Sequence, residues 1–117
     1  DLAQRLFHRT QRDLDADMLT SLIRQFLDEA NGRVERLCGG NGDAAVLRRE
    51  AHTLKSTAGT FGARRLSAAA RTLEAICIRA QDEGGAALGD DFAPLAAQLP
   101  GLLQEAAAAY RRAGRLS

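Results

Sequence analysis

Apolar residues recur along this chain at steps of three and four, the spacing of one face of an α-helix. In the first clear stretch, about Asp15 to Leu37, the residues Leu19, Ile23, Phe26, Ala30, Val34 and Leu37 keep that step, and Leu22 and Leu27 widen the stripe. Asn31-Gly32 falls inside the run and would ordinarily mark a turn. The stepping keeps phase across it, so a weakened or bent helix is expected there, not a reversal. The glycines of "CGGNGD" suit a left-handed helix end, and Asp43 is placed to cap the next helix.

From about Ala44 to Phe61, the residues Leu47, Ala51, Leu54, Ala58 and Phe61 step four, three, four, three, which is the seam of a bundle helix. Gly62 closes it. A third helix carries Leu66, Ala70, Leu73, Ile76 and Ala80 on one side, and "DEGGAALGDD" reads as a loop. The last helix starts near Asp91 or Phe92, with Pro94 tolerable in its first turn. Its apolar side is Leu95, Leu99, Leu102, Leu103, Ala106 and Tyr110, and Pro100 must kink it or mark a restart. The first dozen residues, with Leu2, Leu6 and Phe7, could form a short extra helix packing over one end. Four amphipathic helices on short connections predict an all-α, antiparallel up-down four-helix bundle, one domain over residues 1–117.

Composition narrows the picture further. Aromatic content is 4% and Trp is absent, which disfavours a sheet. A formal charge of +1 lacks the basic footprint of a nucleic-acid binder. Cys38 and Cys77 lie far apart without metal-type spacing and read as reduced, partly buried thiols of a cytoplasmic protein. No apolar run approaches the ~18 residues needed to cross a bilayer, so direct membrane insertion is not expected. The chain opens on Asp rather than Met and reads as a piece of a longer protein, one that could be attached to a membrane elsewhere.

The candidate chemistry lies in "EAHTLKSTAGTFGARRL", residues 50–66. On a helical wheel at ~100° per residue the seam clusters within about 40° of Leu47, whereas His52 falls about 140° away, toward water. By the same count Lys55 lies near ~80°, Gly59 near ~120° and Ser56 near ~180°. Arg48 and Arg49 stand one turn below the ring. Gly59 and Ser56 lower helix propensity, the glycine by roughly 1 kcal/mol against alanine, in a chain rich in alanine. Small residues beside an exposed ring let another molecule come close. Lys55 is the only lysine among 16 basic residues, and a compact ammonium can follow a phosphoryl group where arginine's fork favours fixed bidentate pairing.

These residues resemble the signature of histidine-containing phosphotransfer domains, a His-x-Leu-Lys-Gly pattern with a further glycine beyond. Here it reads His52-Thr53-Leu54-Lys55-Ser56, with Gly62 following. The likeness extends to "DADMLTSLIRQFLDEA" and to Leu66, Leu73 and Glu74, and spans roughly residues 13–112; serine stands where the family most often has glycine. The resemblance implies a phosphorelay intermediate. His52 would accept a phosphoryl group from a receiver-domain aspartate and pass it to another, with Lys55 stabilising the phosphoryl oxygens.

Arg48, Arg49, Ser56, Gly59, Met18, Leu22 and Arg64 are the candidate partner contacts, with Leu19 and Arg65 beside them. Response-regulator receivers are the implied partners and would bring the Mg²⁺; no cofactor or metal is assigned to this chain. It is expected to be a carrier and not an enzyme, since no nucleotide loop or acidic metal cluster is present. The implied settings are a hybrid sensor kinase, which is favoured, a free-standing relay protein and the phosphorylatable domain of a chemotaxis kinase; the isolated domain is expected to be monomeric. Glu74 is expected to pair with Arg71 or a neighbouring helix, and His8 is given no role. The rivals are a non-catalytic interaction or dimerisation bundle, and a metal or haem bundle using His8, His52 and the cysteines.

Overall fold

In the computed structural model, which describes residues 1–40, 42–84 and 87–116, every regular element is helical. Helix α1 spans Leu2–Gly39, α2 Ala44–Thr60, α3 Arg64–Asp82, α4 Phe92–Ala96 and α5 Leu99–Arg112. Helices α1, α2 and α3 and the α4–α5 arm form the antiparallel four-helix bundle. The expected loops include Asn41, Gly85 and Ala86, which lie outside the described residues.

The seams behave as their spacing requires. Ile23, Phe26, Ala30, Val34 and Leu37 of α1 are buried, as are Leu47, Ala51, Leu54 and Ala58 of α2 and Leu66, Ala70, Leu73, Ile76 and Ala80 of α3. Removing such aliphatic surface from water contributes roughly 25 cal/mol per Å². Phe26 and Phe61 stack with centroids 4.8 Å apart, which closes the α1–α2 contact. The Tyr110 hydroxyl donates to the Phe61 carbonyl at 2.6 Å and ties α5 to the end of α2.

Capping follows the sequence. Gly40 terminates α1 in the left-handed region at φ 59°, and the Asp43 carboxylate accepts from the Val46 amide at 2.9 Å. Pro100 marks a restart: α4 ends at Ala96, and α5 begins one residue before the proline. There the missing N–H costs nothing.

The N-terminal expectation is corrected. Residues 2–18 do not form a separate helix folded over the bundle; they are the first turns of α1, which continues unbroken through Asn31-Gly32. Asp1 caps the helix through the Gln4 amide. The segment from Leu2 to Asp17 holds neither proline nor glycine, so nothing in it stops the helix. It projects from the bundle and stretches the molecule to 67 × 22 × 18 Å. Leu2, Leu6, Phe7, Leu14 and Met18 are exposed on it.

Candidate functional site

His52 follows the fully buried Ala51, so it stands about 100° round from the core seam and faces out between α2 and α3. Its side chain is 61% exposed. The α2–α3 turn sets what stands opposite. Gly62 takes φ +76°, the Ala63 amide donates back to the Ala58 carbonyl at 2.8 Å, and the Ser67 hydroxyl donates to the Lys55 carbonyl at 2.8 Å. These contacts fix the register of the two helices and bring Glu74 of α3 level with His52 and Lys55.

Glu74 uses both carboxylate oxygens. Oε2 lies 2.5 Å from His52 Nδ1, and Oε1 accepts from Lys55 Nζ at 2.7 Å. Of the two pairings expected for Glu74, the one made is with a neighbouring helix, α2, and not with Arg71. The carboxylate is buried, with 12% of its side chain exposed. The hydrogen bond from Lys55 holds its pKa below the ordinary carboxylate value; burial works in the opposite direction, and the His52 contact reinforces the lowering.

An ionised carboxylate can only accept hydrogen bonds. Nδ1 must therefore carry the proton in this contact, and in the neutral ring Nε2 is left with a free lone pair. The arrangement fixes a tautomer and aims the unprotonated nitrogen away from the carboxylate.

Around the ring is an open depression of about 550 Å³. Of the residues expected at the site, Arg48, Arg49, His52 and Lys55 line it, joined by Thr53, Glu74 and Ile78. Arg48 donates to Gln81 at 3.0 Å, which draws its guanidinium toward α3. Ser56 and Gly59 are exposed further along α2, outside the depression. A Cβ at Gly59 would meet only Ser67 Oγ at 3.5 Å, an ordinary contact, so packing does not demand glycine there. Leu22 is exposed beside Phe26 and Phe61. Met18 and Arg64 are exposed toward the end of the bundle from which α1 projects. None of these three reaches the ring.

Glu74 is the residue whose role the sequence concealed. Its signal was positional: a carboxylate at the edge of the α3 seam, four residues after Ala70 and three before Cys77, both fully buried. A charge at such a position needs a partner. Lys55, one turn beyond His52, was the cation available on the next helix.

The remaining titratable candidates do not gather. His8 packs edge-on against Phe7 on the projecting helix, and Cys77 is buried, which raises its thiol pKa. Among the described residues no three His, Cys, Asp or Glu side chains are grouped to hold a metal ion. No helix among them is long and apolar enough to cross a membrane.

An outward imidazole, oriented by a buried carboxylate and flanked by cations, thus stands open to solvent on the flank of a four-helix bundle. The Hpt-domain family model matches residues 21–109, and the chain belongs to that family. Hpt domains carry phosphoryl groups on histidine in two-component phosphorelays, where their partners are receiver domains. No curated protein and no solved structure matches the chain.

Proposed function

We propose that His52 is the phosphorylated residue and that this chain relays a phosphoryl group between receiver aspartates. The observation that carries the reading is the outward ring with Nδ1 committed to Glu74. Nε2 attacks the phosphorus of a receiver's aspartyl phosphate in line. The N–P bond forms as the aspartyl O–P bond breaks, and the leaving electron pair returns to the aspartate carboxylate. The Nδ1 proton stays in place, so the ring gains positive charge, which the Glu74 carboxylate offsets. Lys55 neutralises charge on the phosphoryl oxygens and is held for that task by the other Glu74 oxygen. The second transfer runs the same steps in reverse onto another aspartate.

In this reading the Mg²⁺ comes with the receiver. Glu74 is the one acidic residue lining the depression and both its oxygens already accept hydrogen bonds, a poor donor set for an oxygen-seeking cation. Arg48 and Arg49 form the near rim for an acidic receiver edge. Ser56 and Gly59 keep the backbone bare for close approach, and Leu22 and Arg64 supply more distant contacts. We favour a place within a hybrid sensor kinase, acting in the cytoplasm where receivers are found.

The test is incubation of the purified chain with phosphorylated receiver domains. Acid-labile, alkali-stable label is expected at residue 52, and none on His52→Gln, whose circular dichroism and melting should match the parent. Unlabelled parent protein refutes the assignment and favours a non-catalytic interaction bundle, whereas undiminished labelling of His52→Gln refutes it by placing the phosphoryl group on another residue.

A further inference from the structure

We propose that Arg48 anchors an oxyanion site beside His52, one that holds the phosphoryl group carried on the ring, with Gln81 as its positioning residue. The inference rests on phosphorylation of His52 at Nε2 and adds no bond-making step of its own.

Placement is the first support. On the α2 wheel Arg48 lies about 100° from Leu47, within about 20° of Lys55 and about 40° of His52. The three residues run along the α3 side of the helix, Arg48 one turn before the ring and Lys55 one turn after it. Residues four apart on a helix are neighbours, with Cβ atoms about 5–6 Å apart. All three line one depression. Arg49 lies about 200° from Leu47 and turns to the other side of the ring.

Charge is the second support. Both Arg48 and Lys55 are tied to α3, but in different ways. Lys55 donates to the Glu74 carboxylate at 2.7 Å, so much of its charge is already offset. Arg48 donates to the Gln81 Oε1 oxygen at 3.0 Å, and that amide is neutral. No carboxylate among the described residues pairs with Arg48. A guanidinium has further N–H donors beyond the one that Gln81 engages. Gln81 is half-buried at the edge of α3. It orients the fork without neutralising it, which leaves a charged, partly ordered donor for the oxygens of an anion on the ring.

A phosphoryl contact differs from a receiver contact in one measurable respect. A group that touches only the docked receiver alters the transfer rates in both directions, and its effect cancels from the equilibrium between the separated proteins. A group that touches the phosphoryl oxygens still favours the phosphorylated domain after the receiver has left.

The test is the equilibrium partition of label between this chain and a Mg²⁺-loaded receiver domain. Arg48→Ala should shift it toward the receiver by about tenfold, the scale of losing one charged hydrogen bond. Gln81→Ala should shift it the same way by less. Added to Arg48→Ala it should shift it no further, because Gln81 acts through Arg48. An unchanged partition in Arg48→Ala overturns the proposal: altered rates alone would mean a docking contact, and a lowered melting temperature alone a tie between α2 and α3.

A second arm needs no receiver. Inorganic phosphate is titrated into the unlabelled chain at constant ionic strength and followed by NMR. Saturable shifts are expected at Arg48 and His52, with affinity about tenfold weaker in Arg48→Ala. No saturable shift at these residues, or one that Arg48→Ala leaves intact, overturns the proposal. Phosphate binding that Arg48→Ala weakens, in a chain that takes no label at residue 52, would uphold the Arg48 site and place the failure in the phosphotransfer reading.

Discussion

His52 Nδ1 and Glu74 Oε2 meet at 2.5 Å across the α2–α3 interface, although 22 residues separate them in the chain. This contact decides which nitrogen of the ring is available, and Lys55 decides the charge of the carboxylate that makes it. Three side chains thus act as one unit.

Removing the carboxylate should therefore change the ring before it changes the fold. In Glu74→Ala the ring is free to adopt the Nε2–H form. Transfer should slow by about 10- to 100-fold, the scale of losing one oriented electrostatic partner. Nitrogen-15 NMR should show Nε2 gaining pyrrole-like character. Glu74→Gln separates the two contributions, since an amide oxygen can still accept from Nδ1 but carries no charge. It should keep the parent tautomer while losing part of the rate. A parent-like nitrogen spectrum in Glu74→Ala would refute tautomer control.

Lys55→Ala removes the ammonium expected at the phosphoryl oxygens. Transfer should fall by about tenfold or more, with about 1–2 kcal/mol lost from stability as the charged hydrogen bond to Glu74 disappears. Single-turnover transfer measured beside urea melts would separate the two effects. A parent rate would dismiss any role for Lys55 in the chemistry.

Ser56→Trp asks whether the bare backbone along α2 serves the partner. The residue is exposed, so the melting temperature should barely move while a large ring blocks the approach path. Undiminished transfer would sink the steric account.

Acid should loosen the site in a defined direction. The folded-state pKa of Glu74 is lowered, so its contribution to stability is complete above the ordinary carboxylate value of ~4.3 and is lost as pH falls through the folded value. Urea midpoints measured from about pH 6 down to 3 should fall more steeply for the parent than for Glu74→Gln, which has no carboxyl there to titrate. Equal slopes would show that the ion pair contributes nothing to folding.

Much of this architecture was legible from residue spacing. The seams of α1, α2 and α3, the cap at Asp43 and the restart at Pro100 are local matters, settled within a few residues of each signal. His52's exposure could be read the same way, since it needs only one helix and a wheel. Two features could not. Where a helix stops depends on a breaker, and between Leu2 and Asp17 there is none, so the apolar residues there suggested a packing partner that the chain itself does not provide. Glu74's role depends on how two helices slide against each other. That register is set by Gly62 and Ser67, and neither names the residue it will bring opposite His52.

In the proposed relay, nucleophile, orienting carboxylate and ammonium all reside on the single hairpin α2–α3, with the other helices supplying support from behind. The reactive unit is therefore portable in principle: a scaffold that reproduces one interhelical register, with three side chains grafted onto it, would inherit the whole arrangement. Divergence in the remaining helices can then retune whom the domain meets without disturbing how it reacts.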